Sequence, residues 1–161
     1  MESKPGYGTV VTAGFPLSPP PSREAHPPPQ SNRSRGTERI LVVDDEDQVR
    51  RLLVRGLQQG EYDVIEASGA QEAIAILEQE NGEVQLVVTD VAMPVMNGVE
   101  LADRVKARWP GLPVLFVSGH PYDVVALTQD VIAADRFLQK PFKLETLLSQ
   151  VRAALDRVAR S

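Results

Sequence analysis

The stretch Val87-Val88-Thr89-Asp90-Val91-Ala92-Met93-Pro94-Val95-Met96-Asn97-Gly98 decides how the rest of the chain is read. Leu86 to Thr89 is a short apolar run of the length and β-branched content expected of a buried strand. It ends on a carboxylate, Asp90, and breaks into a loop containing Pro94, after which Gly98 opens a helical pattern. Open α/β sheets bind their ligands outside the carboxyl ends of the strands, so an aspartate placed there is a candidate site residue. Taken alone, Asp90 is more readily a loop or N-cap residue. The segments on either side decide between the two.

Upstream, Ile40-Leu41-Val42-Val43 is a continuous apolar run, as expected of a strand covered on both faces, and it ends in Asp44-Asp45-Glu46-Asp47. Val49, Leu52, Leu53 and Leu57 then recur at helical spacing, with Gly60 just past the end. Tyr62 to Ala67 reads as a second strand. Gly69 introduces a helix with Ala70, Ala73, Ile74 and Leu77 on one face, closed by Asn81-Gly82. Downstream of Asp90, Asn97 can cap a helix carrying Leu101, Ala102, Val105 and Trp109, which Pro110-Gly111 ends. Val114 to Val117 is a fourth strand, leading into Ser118-Gly119-His120, and a weaker helical pattern covers about 122–134. Phe137-Leu138-Gln139 is a fifth strand, ending at Lys140-Pro141-Phe142, and Leu144, Leu147, Leu148, Val151 and Leu155 mark an amphipathic helix. Alternating strands and helices with short loops predict an α/β fold with a parallel, doubly wound sheet, because parallel strands need crossover helices.

Four of the predicted strands finish in Asp44-Asp45, Asp90, Ser118 and Lys140. On one edge of a parallel sheet, three carboxylates, a hydroxyl and an ammonium would converge. Crowded carboxylates raise one another's pKa, and a hard divalent cation relieves the repulsion. An oxygen-only donor set without His or Cys points to Mg²⁺. Lys140 adds a mobile positive charge and Ser118 a donor, a set suited to phosphoryl transfer, where positioning and charge neutralisation dominate. A flavin or dinucleotide site would need a Gly- or Ser/Thr-rich phosphate loop after the first strand, where this chain has an acidic run. A calcium loop is also missing, for want of the Asp-x-Asp-x-Asp-Gly spacing. Glu46 and Asp47 read as helix capping and dipole compensation. Met93, Met96 and Trp109 read as loop anchoring and packing.

The chain has 161 residues, enough for one domain of ordinary size, and no cysteine, which excludes disulfides and thiolate metal sites. No apolar run is long enough to span a membrane and no signal-peptide pattern opens the chain, so a soluble cytoplasmic protein without membrane contact is expected. Residues 1–36 hold eight of the 13 prolines and read as a disordered, stiff linker. They carry four basic side chains against two acidic ones, a net +2, so residues 37–161 carry −7 of the chain's −5. An acidic domain repels nucleic acid, and no direct nucleic-acid partner is expected. His26 lies in the linker without a helical pattern around it and is no candidate phosphodonor.

Leu41-Val42-Val43-Asp44-Asp45-Glu46, Asp90-Val91-Ala92-Met93-Pro94-x-Met96-Asn97-Gly98, Ser118-Gly119 and Lys140-Pro141-Phe142 resemble the receiver domain of two-component response regulators. The resemblance runs from 39 to about 158, so a receiver domain over 37–161 is expected behind the 1–36 linker. Gly36 to Glu46 and Phe137 to Phe142 look most like receivers fused behind a histidine kinase. Glu2-Ser3-Lys4-Pro5-Gly6-Tyr7-Gly8-Thr9 resembles the glycine turn and last strand of a kinase ATP-binding domain, within a stretch of sixteen residues. Together these imply the C-terminal receiver of a hybrid sensor kinase, whose kinase catalytic core this chain lacks.

The resemblance implies a flavodoxin-like (βα)5 fold with strand order 2-1-3-4-5. It makes Asp90 the phosphoacceptor, supplied by a phosphohistidine on a histidine kinase or histidine phosphotransfer domain. It implies Asp45, Asp90 and the Ala92 backbone carbonyl as direct Mg²⁺ ligands, with Asp44 acting through a metal-bound water. Lys140 would pair with phosphoryl oxygens, Ser118 would donate a hydrogen bond to one, and the Lys140-Pro141 peptide would be cis. Phe137, by spacing an ordinary sheet-edge aromatic, matches the family's switch aromatic. Its rotation would change the face formed by the helix over about 122–134, the fifth strand and the last helix, with a phosphorylation-dependent dimer as one outcome. Ala92, two residues after Asp90, has no polar group to orient an attacking water, whereas His120, two residues after Ser118, could orient one or could shield the site; both bear on the lifetime of an acyl phosphate. A phosphate sink or interaction module without switched output is the alternative.

Overall fold

The computed structural model describes residues 37–120 and 136–160; the Pro-rich segment 1–36 and the helix expected over about 122–134 lie outside the described residues. Strands β1 (Arg39–Val43), β2 (Asp63–Ala67), β3 (Val84–Asp90), β4 (Val114–Ser118) and β5 (Phe137–Gln139) alternate with helices α1 (Asp47–Gln59), α2 (Ala70–Glu80), α3 (Gly98–Arg108) and α4 (Leu144–Ala159). The strands form one sheet in the order β2-β1-β3-β4-β5. Every neighbouring pair is parallel. Both the fold class and the strand order agree with expectation.

The apolar runs in β1, β3 and β4 are continuous because the sheet is covered twice. Leu41, Val43, Val87 and Phe116 pack with Ala73 and Leu77 of α2 and Leu101 and Val105 of α3. On the other face Ile40, Val42, Leu86, Val88, Leu115, Val117 and Leu138 pack with Leu53 and Leu57 of α1 and Leu147, Val151 and Leu155 of α4. Each fully buried Leu, Ile or Val contributes about 1.5–3 kcal/mol. A one-residue slip of a strand would exchange these two sets and misplace every group at its end.

Helix ends follow local chemistry. Asn97 caps α3, its side-chain oxygen accepting the Glu100 N–H at 2.9 Å while its amide donates to the Glu100 carboxylate at 2.7 Å. Asn81 closes α2 in the left-handed region at φ 51°. Differences from the sequence reading are local. Strand β3 begins at Val84 rather than Leu86; exposed Gln85 interrupts the apolar run, yet its side chain accepts the Arg39 N–H at 2.9 Å. Tyr62 is buried but belongs to the turn after α1, its N–H donating to the Leu57 carbonyl. Leu52 is 63% exposed, because the inward stripe of α1 is set by Leu53 and Leu57.

Candidate functional site

The strand register builds the site. Val43 is paired with Thr89, so the following residues, Asp44 and Asp90, emerge side by side. Asp90 is paired with Val117, which puts Ser118 next along the edge, and Ser118 with Gln139, which puts Lys140 beyond it. Adjacent strands lie about 4.8 Å apart, so such neighbours are within reach of one ligand. Carboxylate oxygens of Asp44, Asp45 and Asp90 all lie within 4.8 Å of one another. The Lys140 ammonium sits 3.2 Å from Asp90 Oδ1 and 3.5 Å from Asp44 Oδ2. The Lys140-Pro141 peptide is cis, as the resemblance implied. Asp44, Asp45, Asp90 and Lys140 line a cleft of about 530 Å³ together with Glu46, Ala92, Gly119 and His120.

Charge in the cleft is unbalanced. Asp44 and Asp90 are buried. Burial pushes the pKa of both above the usual carboxylate range, with the neighbouring carboxylates adding to the rise and Lys140 opposing it. Burial also pulls Lys140 down, but the charges of Asp44 and Asp90 outweigh it and leave its pKa raised. One ammonium therefore faces three acidic side chains. An all-oxygen, anionic donor set with space beside it fits a hard divalent cation, which among the described residues this cluster alone can hold.

The backbone around Asp90 is held closely. The Thr89 hydroxyl donates to the Asp90 carbonyl at 3.0 Å, and the Gly98 N–H donates to the Val91 carbonyl at 2.9 Å. A Cβ on Gly98 would stand 2.1 Å from the Asp90 carbonyl oxygen, so the first residue of α3 must be glycine for the helix to pack on this strand end. Between them the loop turns sharply, the Met96 N–H donating to the Pro94 carbonyl at 2.8 Å. Val95, the central residue of that turn, has φ 72° and is 87% exposed. Positive φ in a β-branched residue is strained backbone, stored beside the site.

Not every expected residue points the same way. Ser118 is buried, and its hydroxyl is engaged with the His120 backbone at 3.2 Å. Ala92 and His120 are exposed on the cleft wall. Phe137 is half-buried against the α2/α3-side core, paired in register with Phe116. Met93 and Met96 are buried in that same core, and Trp109 packs against it, as their packing role requires. Glu46 holds the N-cap position of α1 without a side-chain cap; instead its own N–H donates to the Asp44 carboxylate at 2.9 Å. The expected capping role of Glu46 is thus replaced, because a buried carboxylate two residues earlier already meets the helix start. Sequence reasoning missed Arg50, whose guanidinium donates to the Asp44 backbone carbonyl at 2.8 Å. Its signal, a cation one turn after the acidic run, reads in a sequence as an ordinary pairing with Asp47.

A second cleft, of about 590 Å³, lies at the opposite end of the strands between Val84, Trp109, Leu112 and Leu155. Its cations are engaged locally, Arg152 with Glu38 and Asp156, and Arg108 with Glu78. No acidic cluster able to hold a metal lies there among the described residues. Among the described residues, no helix is long and apolar enough to cross a membrane.

Residues 40–152 match the response regulator receiver domain family. The chain is 40% identical over 122 residues to the sensor kinase CckA of Brucella abortus, covering 76% of this chain but 13% of that protein. It is 34% identical over 119 residues to the response regulator receiver protein CpdR of the same organism, covering 73% of this chain and 96% of that one. Among solved structures, the receiver domain of the hybrid histidine kinase CckA is similar with a TM-score of 0.60 and 35% identity, over 73% of this chain and 98% of that chain. A receiver domain protein from Clostridium thermocellum is similar with a TM-score of 0.67 and 25% identity, over 76% and 98% respectively. The carboxylate cluster, the lysine facing it and this family match agree: the chain belongs to the response regulator receiver domain family, the signalling domains of two-component phosphorelays.

Proposed function

We propose that residues 37–161 accept a phosphoryl group on Asp90 from a phosphohistidine of a histidine kinase or phosphotransfer domain. The observation that carries this reading is the convergence of Asp44, Asp45 and Asp90 within 4.8 Å, with Lys140 3.2 Å from the Asp90 carboxylate. An ionised Asp90 oxygen attacks phosphorus in line, the P–N bond breaks, and its electron pair returns to the leaving imidazole. The product is an acyl phosphate, and no proton need leave Asp90. Asp45, Asp90 and the Ala92 carbonyl are the proposed direct ligands of Mg²⁺, with Asp44 through a water. When bound, the ion neutralises charge that builds on the phosphoryl oxygens. Lys140, already between two carboxylates, is placed to follow a phosphoryl oxygen instead.

Output is proposed to be a population shift. Ser118, now bonded to the His120 backbone, exchanges that partner for a phosphoryl oxygen, and Phe137 moves from half-buried to buried. The face including β5 and α4 then presents a different surface to a partner or to a second copy. His120 and Ala92, on the cleft wall, set how readily water reaches the acyl phosphate. The similarity to the CckA receiver supports a cytoplasmic setting behind a histidine kinase, with 1–36 as the linker.

The test is transfer from a phosphorylated histidine kinase in Mg²⁺. Asp90→Asn is expected to abolish uptake with the circular dichroism spectrum unchanged. Equal labelling of Asp90→Asn and wild type would overturn the assignment.

A further inference from the structure

Besides Lys140, which meets the carboxylates, Arg50 meets the acidic strand end through its backbone. Its side chain is 11% exposed, held by Asp47 and lying 4.0 Å from Glu66 on β2. One Nη donates at 2.8 Å to the Asp44 carbonyl, the oxygen of the peptide that joins Asp44 to Asp45. Other contacts fix Asp44 itself: its N–H donates to the Ala67 carbonyl at 3.2 Å, and its carboxylate accepts from Glu46. Asp45 is exposed, so its direction depends on the plane of that peptide.

We infer that Arg50 is a positioning residue for the metal-binding pair, fixing the Asp44–Asp45 peptide so that both carboxylates point into the cleft. This rests on the reading of the cleft as a Mg²⁺ site. The inference carries a sign that separates it from simple electrostatics. A cation beside a cation site weakens metal binding by Coulomb repulsion, so its removal should tighten binding. A residue that orients ligands does the opposite, and loss of such outer contacts weakens metal affinity about 10–100-fold. Asp47 and Glu66 beside the guanidinium offset its repulsion and leave the orienting effect to dominate.

Mg²⁺ titration of the full chain, followed by the amide NMR shifts of Asp45 and Asp90, tests this alongside thermal melting without metal. For Arg50→Gln the expected result is an Mg²⁺ dissociation constant raised about tenfold or more. Arg50→Lys keeps the charge but not the planar fork, and is expected to fall between it and wild type. If Arg50→Gln binds as tightly as wild type, or more tightly, the inference is overturned, whatever happens to the melting temperature. Should glutamine prevent folding, Arg50→Lys decides on the same criterion, and an unchanged dissociation constant overturns the inference. A wild-type chain that binds no Mg²⁺ overturns the reading of the site and this inference with it; binding by wild type separates the two.

Discussion

Replacing Asp90 by asparagine removes one charge from a crowded cleft while keeping the side chain's shape. With carboxylate oxygens within 4.8 Å, Asp90 is repelled by Asp44 and Asp45 by about 3.5 kcal/mol each at an effective dielectric of about 20. Lys140 at 3.2 Å attracts it by about 5 kcal/mol on the same scale. The balance is a net penalty of about 2 kcal/mol, before the cost of burying the charge is added. Burial, the first cause of the rise in the Asp90 pKa, adds to this penalty, while Lys140 works against it. A carboxyl whose folded pKa is raised adds stability below its unfolded pKa and loses it as pH rises through the folded value. At neutral pH the ionised Asp90 therefore costs stability, and Asp90→Asn should melt higher in EDTA, by roughly 8 °C for about 2 kcal/mol in a domain of this size. Magnesium should raise the wild type more than the variant, since stabilisation grows with the ratio of ligand to dissociation constant and the variant has lost an anionic ligand. Thermal melts by circular dichroism in EDTA and in MgCl₂ measure both. A variant that melts lower in EDTA would show that the attraction to Lys140 outweighs the crowding, and the electrostatic account of the cleft would be wrong.

Gly98→Ala should destabilise the domain by about 3 kcal/mol in urea unfolding, because its Cβ would stand 2.1 Å from backbone that cannot rotate away. An unchanged midpoint would refute the close approach of α3 to Asp90. Val95→Gly should stabilise by about 1 kcal/mol, relief of positive-φ strain exceeding the entropic cost of glycine; a loss of stability would show that the turn is unstrained. The increase in melting temperature given by Mg²⁺ should shrink as pH falls from 7 into the carboxylate range, because protons compete for Asp44 and Asp90, whose pKa values are raised. A gain independent of pH would mean that the ion binds elsewhere.

The fold was legible because β1, β3 and β4 are short apolar runs separated by helical periodicity, and a doubly covered parallel sheet demands that pattern. Legibility failed where a tertiary contact outweighed the local signal. Gln85 fell outside the apolar run that begins at Leu86, because its polar side chain gives no hint that it will meet Arg39 across the sheet. Leu52 and Leu53 were equal in the helical pattern, and only the packing of α1 against the sheet and α4 decides which is buried. The site was readable from the residues that follow each strand, since register alone brings Asp44, Asp90 and Lys140 together. Its supporting shell was not. Arg50 reaches a backbone carbonyl, and Gly98 answers a steric demand from the Asp90 carbonyl; neither contact leaves a pattern in sequence.

Intact-mass and peptide mass spectrometry of the chain after incubation with acetyl phosphate and Mg²⁺ addresses the phosphoacceptor itself. One phosphoryl group is expected, confined to the peptide containing Asp90 and absent when EDTA replaces the metal. No adduct on a folded, Mg²⁺-binding domain, or an adduct that persists at another residue after Asp90→Asn, would contradict the account.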